Sequence, residues 1–306
     1  MTFDRSARIS ALARARNLGV RPPRQDELVV RVRAAGVCLA NELDRGAVSA
    51  GTPRFVVPAW MRSGVAGVGE AVSDGVAGFA AGDEVFGVTT PRLIRPGAAV
   101  AIVAASRVAR KPRRIDFAVA AAIPAVAATA WQMLFALGRV ERGDTVLILG
   151  GTHPVGVLAL QLARAHGLRC VAVSAPRHGA ALRALGADRV IDAGPSALEA
   201  ASANAGVIVD TAGGMLQRRA LAAMRPGSAL VSCVSRPDPS HALREHVRCE
   251  YCATDVTALR LQEIAKLIDL RLITPTIDAL FGTSTTASRV RAAATQPADA
   301  AVALAA

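Results

Sequence analysis

Two patterns of apolar and polar residues divide the chain. From Glu27 the residues alternate, with Leu28, Val30 and Val32 on one side and Val29, Arg31 and Arg33 on the other, which predicts a half-buried strand. Residues 65–87 carry short apolar runs separated by glycine and acidic turns, a pattern typical of a small antiparallel barrel. The alternation predicts a first, β-rich domain that ends near residue 116.

The second pattern begins at Asp116 with an alanine-rich helical stretch that Pro124 must interrupt. A second helix is then expected to carry Thr129, Trp131 and Leu134. Buried strands and helices alternate beyond it, and the strands are predicted at 145–149, 170–174, 189–192, 206–210 and 228–234. Helices are predicted from Val155, at 180–185 and around 216–224. This alternation favours a doubly wound parallel sheet with its ligand at the carboxyl ends of the strands.

The pattern of apolar and polar residues changes again after Thr274, where we expect the chain to return to its first domain. The predicted domains are therefore residues 1–116 with 275–306, and residues 117–274. A length of 306 residues with 52% hydrophobic content agrees with about two domains.

Composition excludes several classes of protein. No uninterrupted apolar stretch of about 20 residues is present, so no membrane span is expected. The net charge of +12 comes from scattered arginines, aromatic residues are only 3%, and no nucleic-acid-binding motif is visible, so no specific nucleic-acid partner is expected. Five cysteines do not form a disulfide framework, which favours a reducing cytoplasm.

The stretch from Thr145 to Gly167 combines a strand, a glycine-rich turn and a helix. Backbone N–H groups at such a junction can hold a pyrophosphate at the positive end of the helix. The usual fingerprint has glycine where this chain has His153, followed by Pro154. The stretch is therefore either a dinucleotide cradle or simply a tight strand-to-helix turn.

Six stretches decide between these alternatives by their order and spacing: VRVRAAGVC, VAGVGEAVSDGVAGFAAGDEVFG, AAIPAVAATAWQML, GDTVLILGG, LRALGADRVID and VIVDTAGG. Together they resemble the medium-chain dehydrogenase/reductase superfamily, in its zinc-free quinone oxidoreductase and enoyl reductase-like branch. The resemblance implies an α/β fold with a chaperonin-10-like β-barrel domain and a doubly wound Rossmann nucleotide-binding domain. It also implies reduction of quinones or activated carbon–carbon double bonds by NADPH, and a homodimer.

The resemblance places cofactor contacts at the matching positions of this chain. They are Thr129, the turn Gly150, Gly151, Thr152, His153, Pro154, Val155 and Gly156, the segment Asp210, Thr211, Ala212 and Gly213, and Ser232, Cys233 and Val234.

The residues after the second strand of this domain indicate which dinucleotide binds. Proteins that prefer NAD place an acid there for the ribose 2′-hydroxyl, whereas this chain has Ser174 and Arg177. A hydroxyl and a guanidinium suit a 2′-phosphate, which favours NADPH. The alternative is an ordinary helix N-cap serine with a surface arginine.

Pocket candidates are Cys38, Asn41 and Tyr251, and no catalytic residue is identified. Cys38 stands where zinc-dependent relatives carry a metal cysteine, but Ser63 stands near the position of their histidine, so no metal is expected. Cys38 either lines the pocket or is a small buried hydrophobic residue. Asn41 is interpreted as structural rather than as a pocket residue. Tyr251 matches an aromatic position that lies near the nicotinamide in relatives.

Cys249 and Cys252 form a C-x-x-C sequence in a predicted strand, which would place their side chains on opposite faces. We therefore interpret both as structural cysteines rather than as a redox or zinc pair.

Some family segments are altered: GAAVAI replaces the family's aromatic and acidic residues at 97–102, and Asp299, Ala300 and Ala301 replace a basic cofactor motif. The first hypothesis is a zinc-independent, NADPH-dependent oxidoreductase acting on a quinone or conjugated carbonyl. The second is a non-catalytic nucleotide-binding protein of the same fold, and a zinc alcohol dehydrogenase is a distant third.

Overall fold

A computed structural model describes residues 21–38, 63–89, 100–238, 240, 246–275 and 301–305 of the chain. These residues form two compact units. The first contains the described residues up to Ala125, the segment Val256–Asp269 and the strand near the C-terminus, and the second contains Val126–Asp255 and the residues from Leu270. The predicted divisions near residues 116 and 275 lie close to these limits without coinciding, and as domain boundaries they stay a prediction.

The first unit is built on a mainly antiparallel sheet. Its strands are β1 (Glu27–Cys38), β2 (Ser63–Val72), β3 (Glu84–Thr89), β4 (Val100–Ala104), β5 (Val108–Arg110) and, later in the chain, β12 (Ala301–Ala305). The order is β12-β1-β2-β3-β5, and β4 also pairs with β1. Strand β1 is antiparallel to β2 and β4 and parallel to β12.

The alternation of apolar residues in β1 determines which face of the sheet is buried. Leu28, Val30 and Val32 pack in one core cluster with Val65 and Val85 from the neighbouring strands, whereas Arg31 and Arg33 are exposed. The predicted strand is confirmed, but its alternation holds only in part, because Val29, on the same side as Arg31 and Arg33, is also completely buried.

Two short helices join the units, α1 (Phe117–Ala122) and α2 (Pro124–Trp131). The carboxylate of Asp116 accepts from the N–H of Val119 at 2.8 Å and caps α1. Pro124 begins α2, so the predicted interruption by proline is confirmed. A π-helical segment, Gln132–Gly138, continues α2 and carries Leu134.

The second unit is built on a six-stranded parallel sheet. Its strands are β6 (Thr145–Leu149), β7 (Arg169–Val173), β8 (Arg189–Ile191), β9 (Val207–Asp210), β10 (Ala229–Ser232) and β11 (Arg248–Tyr251). Their order is β11-β10-β9-β6-β7-β8, which is the doubly wound arrangement. The expected α/β class, with one antiparallel-sheet domain and one parallel-sheet domain, is confirmed.

Helices connect these strands and supply the covering layers. They are α3 (Pro154–Ala165), α4 (Gly179–Leu185), α5 (Pro195–Asn204) and α6 (Gly214–Ala222), and α7 (Ala258–Asp269) belongs to the first unit. Residues 146–149 of β6 are completely buried, as expected of a central parallel strand covered on both faces. No helix in the described part of the chain is long and apolar enough to cross a membrane.

Candidate functional site

The carboxyl ends of four neighbouring strands lie level with one another. Leu149 of β6 pairs with Asp210 of β9, Asp210 pairs with Ser232 of β10, and Ser232 pairs with Tyr251 of β11. The residues that follow each strand therefore meet at one edge of the sheet, which is where open α/β sheets bind ligands. The expected pyrophosphate turn and the segments after Asp210 and Ser232 are all brought to this edge.

The turn after β6 requires glycine at two positions. Gly150 has a φ of +82°, and a Cβ there would lie 2.5 Å from Oγ1 of Thr211. A Cβ on Gly156 would collide with the carbonyl oxygen of Gly150. The first turn of α3 thus packs directly against the end of β6, and backbone rather than side chains forms the surface of this junction.

His153, where the fingerprint has glycine, is the N-cap residue of α3. Its backbone is extended, with φ −68°, so the position does not require glycine here. The imidazole Nδ1 accepts from the N–H of Val155 at 3.3 Å, and the carbonyl of His153 accepts from Val157 at 2.8 Å. Pro154 has no N–H to offer.

Two amide donors remain at this helix terminus. In the part of the chain that the structure describes, the N–H groups of Thr152 and Gly156 make no hydrogen bond to the protein. Such donors, at the positive end of a 12-residue helix, fit a phosphate oxygen. The geometry therefore fits the pyrophosphate of a dinucleotide.

Asp210 is fully buried and holds the adjacent segment in place. Its Oδ1 accepts from the N–H groups of Ala212 at 3.0 Å and Gly213 at 2.8 Å, and its Oδ2 accepts from Nε2 of Gln217 at 2.7 Å. Oγ1 of Thr211 donates to the carbonyl of Leu149 at 2.7 Å. The side chains of Asp210 and Thr211 and the N–H groups of Ala212 and Gly213 are thus all engaged within the protein, which fixes the path of this segment.

The residues after β10 form a similar turn. Oγ of Ser232 accepts from the N–H groups of Val234 and Ser235, both at 3.2 Å, and the N–H of Cys233 donates to the carbonyl of Asp210 at 3.1 Å. Val234 remains 44% exposed and presents an apolar surface at this edge.

Thr129 lies on α2 and is completely buried. Its hydroxyl oxygen is 2.6 Å from that of Thr254, three residues beyond the end of β11. Thr129 therefore lies next to the segment that follows β11. Sequence reasoning missed Thr254 and Gln217, because the partner of Thr254 on α2 and the partner of Gln217, Asp210, are identified by the fold and not by a local pattern.

Ser174 directly follows β7, and Arg177 lies in a single 3₁₀ turn, Pro176–His178. The N–H of Ser174 donates to the carbonyl of Ile191 at 3.0 Å, and Arg177 is exposed. The N-cap of α4 is His178 and that of the 3₁₀ turn is Ala175, so the alternative interpretation of Ser174 as a helix cap is wrong.

Tyr251 ends β11, is 36% exposed and has the guanidinium of Arg236 over its ring at 5.0 Å. Cys249 lies within β11 and Cys252 just after it, and neither is in a disulfide. Burial, with smaller contributions from the nearby carboxylates of Glu250 and Asp238, raises the pKa of Cys249 to about 11. A thiol that is so hard to ionise is a poor metal ligand or nucleophile, which supports the structural interpretation.

The other candidates lie outside the described residues: Asn41, residues 97–99, 299 and 300, and the side chain of Cys38. Within the described ranges, no group of three or more histidine, cysteine or acidic side chains is placed to hold a metal ion.

Comparisons with known proteins agree with this architecture. The family described as "Zinc-binding dehydrogenase" matches residues 154–248. The quinone oxidoreductase of Homo sapiens is 32% identical over 163 residues, which cover 53% of this chain and 48% of that protein. The mitochondrial NAD(P)H oxidoreductase RTN4IP1 of Danio rerio is 32% identical over 157 residues, covering 49% of this chain and 41% of that protein. The chain thus spans about half the length of the curated relatives it matches.

A solved structure, an alcohol dehydrogenase superfamily protein from Novosphingobium aromaticivorans, superposes with a TM-score of 0.70 and 25% identity over 90% of each chain. The family match begins at the first residue of α3 and includes strands β7, β8, β9 and β10, whereas β6 and the glycine turn precede it. In sequence the chain is similar to zinc-binding dehydrogenases and quinone oxidoreductases, and in fold to an alcohol dehydrogenase superfamily protein, which supports the resemblance to the medium-chain dehydrogenase/reductase superfamily.

Proposed function

We propose that the protein is a zinc-independent oxidoreductase that transfers a hydride from NADPH to a quinone or an activated carbon–carbon double bond. This proposal rests on the edge formed by the carboxyl ends of β6, β9, β10 and β11. The backbone N–H groups of Thr152 and Gly156 lie there, at the N-terminus of α3. The similarity to a quinone oxidoreductase and to an NAD(P)H oxidoreductase supports the same assignment.

Each part of the cofactor has candidate contacts on this edge. The amides of Thr152 and Gly156 hold the pyrophosphate, and the dipole of α3 stabilises its charge. The hydroxyl of Ser174 and the guanidinium of Arg177 bind the 2′-phosphate. Thr129 and the segments after Asp210 and Ser232 lie against the nicotinamide half.

NADPH supplies the hydride, and the protein supplies orientation. The chain fixes the position of the reacting ring through backbone contacts that need no rearrangement during the reaction. The acceptor takes up the hydride with its two electrons, and the one proton that completes the reduction comes from solvent, since none of the candidate site residues is identified as a proton donor. The homodimer and the cytoplasmic location stay predictions.

A titration of the purified protein with NADPH and NADH, followed by fluorescence, tests the cofactor. Oxidation of NADPH by a naphthoquinone then tests turnover. Binding of NADPH without oxidation by any acceptor would favour the non-catalytic alternative, and absence of binding would contradict both.

Zinc independence predicts that the protein, purified without chelators, holds far less than one zinc per chain. The physical reason is that a catalytic site needs three protein ligands, and Ser63 stands near the position where zinc-dependent relatives have histidine. Elemental analysis measures the content. One zinc per chain, lost in Cys38→Ser, would overturn this part of the proposal.

A further inference from the structure

The amino ends of strands β6, β7 and β8 form the edge of the parallel sheet that lies opposite the ligand edge. Main-chain hydrogen bonds hold the loops before these strands side by side. The N–H of Gly143 donates to the carbonyl of Gly167 at 3.3 Å. The N–H of Asp188 donates to the carbonyl of Cys170 at 2.9 Å. Residues that precede or begin these strands therefore lie close together, although they are far apart in the sequence.

Five exposed arginines gather here, which we call the arginine edge: Arg142, Arg164, Arg169, Arg183 and Arg189. The side chain of Arg142 lies against Gly167, two residues before Arg169. The side chain of Arg164 lies against Gly186, in the loop between α4 and β8. The two remaining arginines flank that loop. Arginines that are scattered along the sequence thus form one basic patch in the fold.

The fold itself requires only part of this charge. Arg164 and Arg183 lie in the last turns of α3 and α4, where a cation stabilises the negative end of a helix. Arg142, Arg169 and Arg189 precede or begin strands and have no such role. None of the five arginines forms an ion pair with a carboxylate within the part of the chain that the structure describes.

The carboxylates beside the arginine edge bind main-chain N–H groups rather than the arginines. Oδ2 of Asp144 accepts from the N–H of Glu141 at 2.8 Å, and Oδ2 of Asp188 accepts from the N–H of Cys170 at 2.6 Å. The side chain of Glu141 is a further, exposed acid beside the edge. Five guanidiniums therefore outnumber the neighbouring acids and leave a surface that attracts anions.

An apolar element lies beside the same helix. Leu270 is 58% exposed and Leu272 is 49% exposed. The N–H of Thr274 donates to Oε1 of Gln161 at 2.7 Å, one helical turn before Arg164 on α3. Because Leu272 is only two residues from Thr274, this hydrogen bond holds the exposed leucines next to the helix that carries part of the arginine edge.

We propose that the arginine edge, together with Leu270 and Leu272, binds the surface of an anionic lipid bilayer. Guanidiniums pair with lipid phosphates, and the leucines enter the boundary between headgroups and acyl chains. A nucleic acid would neutralise the arginines but leave the leucines in water, so the bilayer fits both observations. The proposal is independent of the reaction, because the arginine edge lies at the opposite ends of the strands from the ligand edge.

Sedimentation of the full chain with phosphatidylcholine vesicles that contain about 30% phosphatidylglycerol tests the proposal. We expect binding to these vesicles, much weaker binding to pure phosphatidylcholine, and weaker binding as salt screens the charges. Arg142→Gln, Arg164→Gln and Arg169→Gln together should weaken binding roughly a hundredfold, since each arginine near an anionic surface contributes about fivefold. Arg169→Gln alone should weaken it about fivefold, which keeps the test open if the triple variant is unstable.

The matched control removes the same charge elsewhere. Arg24→Gln, Arg33→Gln and Arg218→Gln together change exposed residues outside the arginine edge and should alter vesicle binding by less than about threefold. Leu270→Ser with Leu272→Ser keeps the charge and should weaken binding about tenfold, at high salt as well as at low salt. Thermal unfolding of each variant reports on the fold.

Absence of binding to the anionic vesicles would overturn the proposal. Equal weakening by the two triple variants would overturn it too, because net charge alone would then account for binding. Unchanged binding of the leucine variant would exclude insertion into a bilayer. Tighter binding to a single-stranded oligonucleotide than to vesicles, lost when the arginine edge is changed, would assign this surface to nucleic acid instead.

Discussion

At the N-terminus of α3, the imidazole of His153 accepts a hydrogen bond from the N–H of Val155. An anion at this terminus can therefore not bind that N–H. Pro154 contributes no N–H, and Val155 donates to His153, so only Thr152 and Gly156 keep donors for a phosphate. A side chain in place of glycine has therefore changed the number of available amides rather than the path of the backbone. His153 thus caps α3 and leaves the amides of Thr152 and Gly156 for an anion.

Removing this cap should reduce the stability of the fold. We expect His153→Ala to lower the free energy of unfolding by about 1 kcal/mol, the usual effect of losing an N-cap acceptor. Urea unfolding followed by circular dichroism measures it. His153→Asn keeps a side-chain acceptor for the N–H of Val155 and should lose much less stability. Equal free energies of unfolding for all three proteins would show that the 3.3 Å hydrogen bond contributes nothing.

Arg177 should determine the preference for NADPH over NADH. Its guanidinium is exposed beside the end of β7, where no acid follows the strand. Arg177→Ala should reduce the preference by roughly 1–3 kcal/mol, the range for a charge-assisted contact, and leave NADH affinity unchanged. Titrations with both dinucleotides give the ratio, and Arg183→Ala, another exposed arginine nearby in sequence, serves as the control. An unchanged ratio in Arg177→Ala would exclude this residue from the site.

Among the elements, the central strands were the easiest to predict, because a strand buried on both faces has a continuous run of apolar residues in its sequence. Strand β6 occurs at its predicted bounds, whereas the predicted strand at 228–234 ends at Ser232. Its last residues turn because the hydroxyl of Ser232 binds two amides, a tertiary detail that the apolar run conceals. Helix α7 was missed, although Leu261, Ile264 and Ile268 recur at helical spacing and are buried.

Burial of a thiol within strand β7 makes the stability of the sheet dependent on pH. Desolvation, with a smaller contribution from Asp188, raises the pKa of Cys170 to about 12. Above pH 9 the unfolded chain loses this proton while the folded chain keeps it, so stability falls as pH rises until the folded pKa is reached. At pH 10 the loss is roughly 1.5–2 kcal/mol from this group.

The comparison of wild type with Cys170→Ala isolates the effect of this thiol from other groups that titrate in the same range. The variant is expected to be less stable near neutral pH, because it loses buried volume, but to lose less further stability between pH 8 and 10. Urea unfolding at both pH values measures the two differences. Parallel losses in the two proteins would show that Cys170 ionises normally.

For the whole molecule, one antiparallel and one parallel sheet and the ligand edge could be predicted from the sequence, because strands that alternate with helices form a parallel sheet with its ligand at their carboxyl ends. The contacts of Thr129 and Gln132 with residues 253–255 could not be predicted, since both side chains are more than a hundred residues from their partners in the sequence and only the fold brings them together. Gln217 was hidden for the same reason: its role depends on the buried carboxylate of Asp210.

The choice of acceptor depends on what the protein as a whole supplies to the reaction. The proposed chemistry places negative charge on the oxygen of the reduced acceptor, and none of the candidate site residues is identified as an acid that could protonate it. A hydroquinone anion is readily protonated by solvent, whereas an enolate depends more on a placed donor. We therefore expect ortho- and para-quinones to be reduced faster than simple enones, and both to be reduced faster than aldehydes.

Loss of NADPH absorbance measured against a panel of quinones, conjugated enones and aldehydes, at equal acceptor concentration, gives this order. Raising the pH distinguishes the cause: enone reduction should slow more steeply than quinone reduction, because protonation by solvent limits it. Enones that react as fast as quinones across the pH range would reveal a proton donor supplied by the protein. Fast reduction of aldehydes would instead favour alcohol dehydrogenase chemistry and contradict the proposed acceptor class.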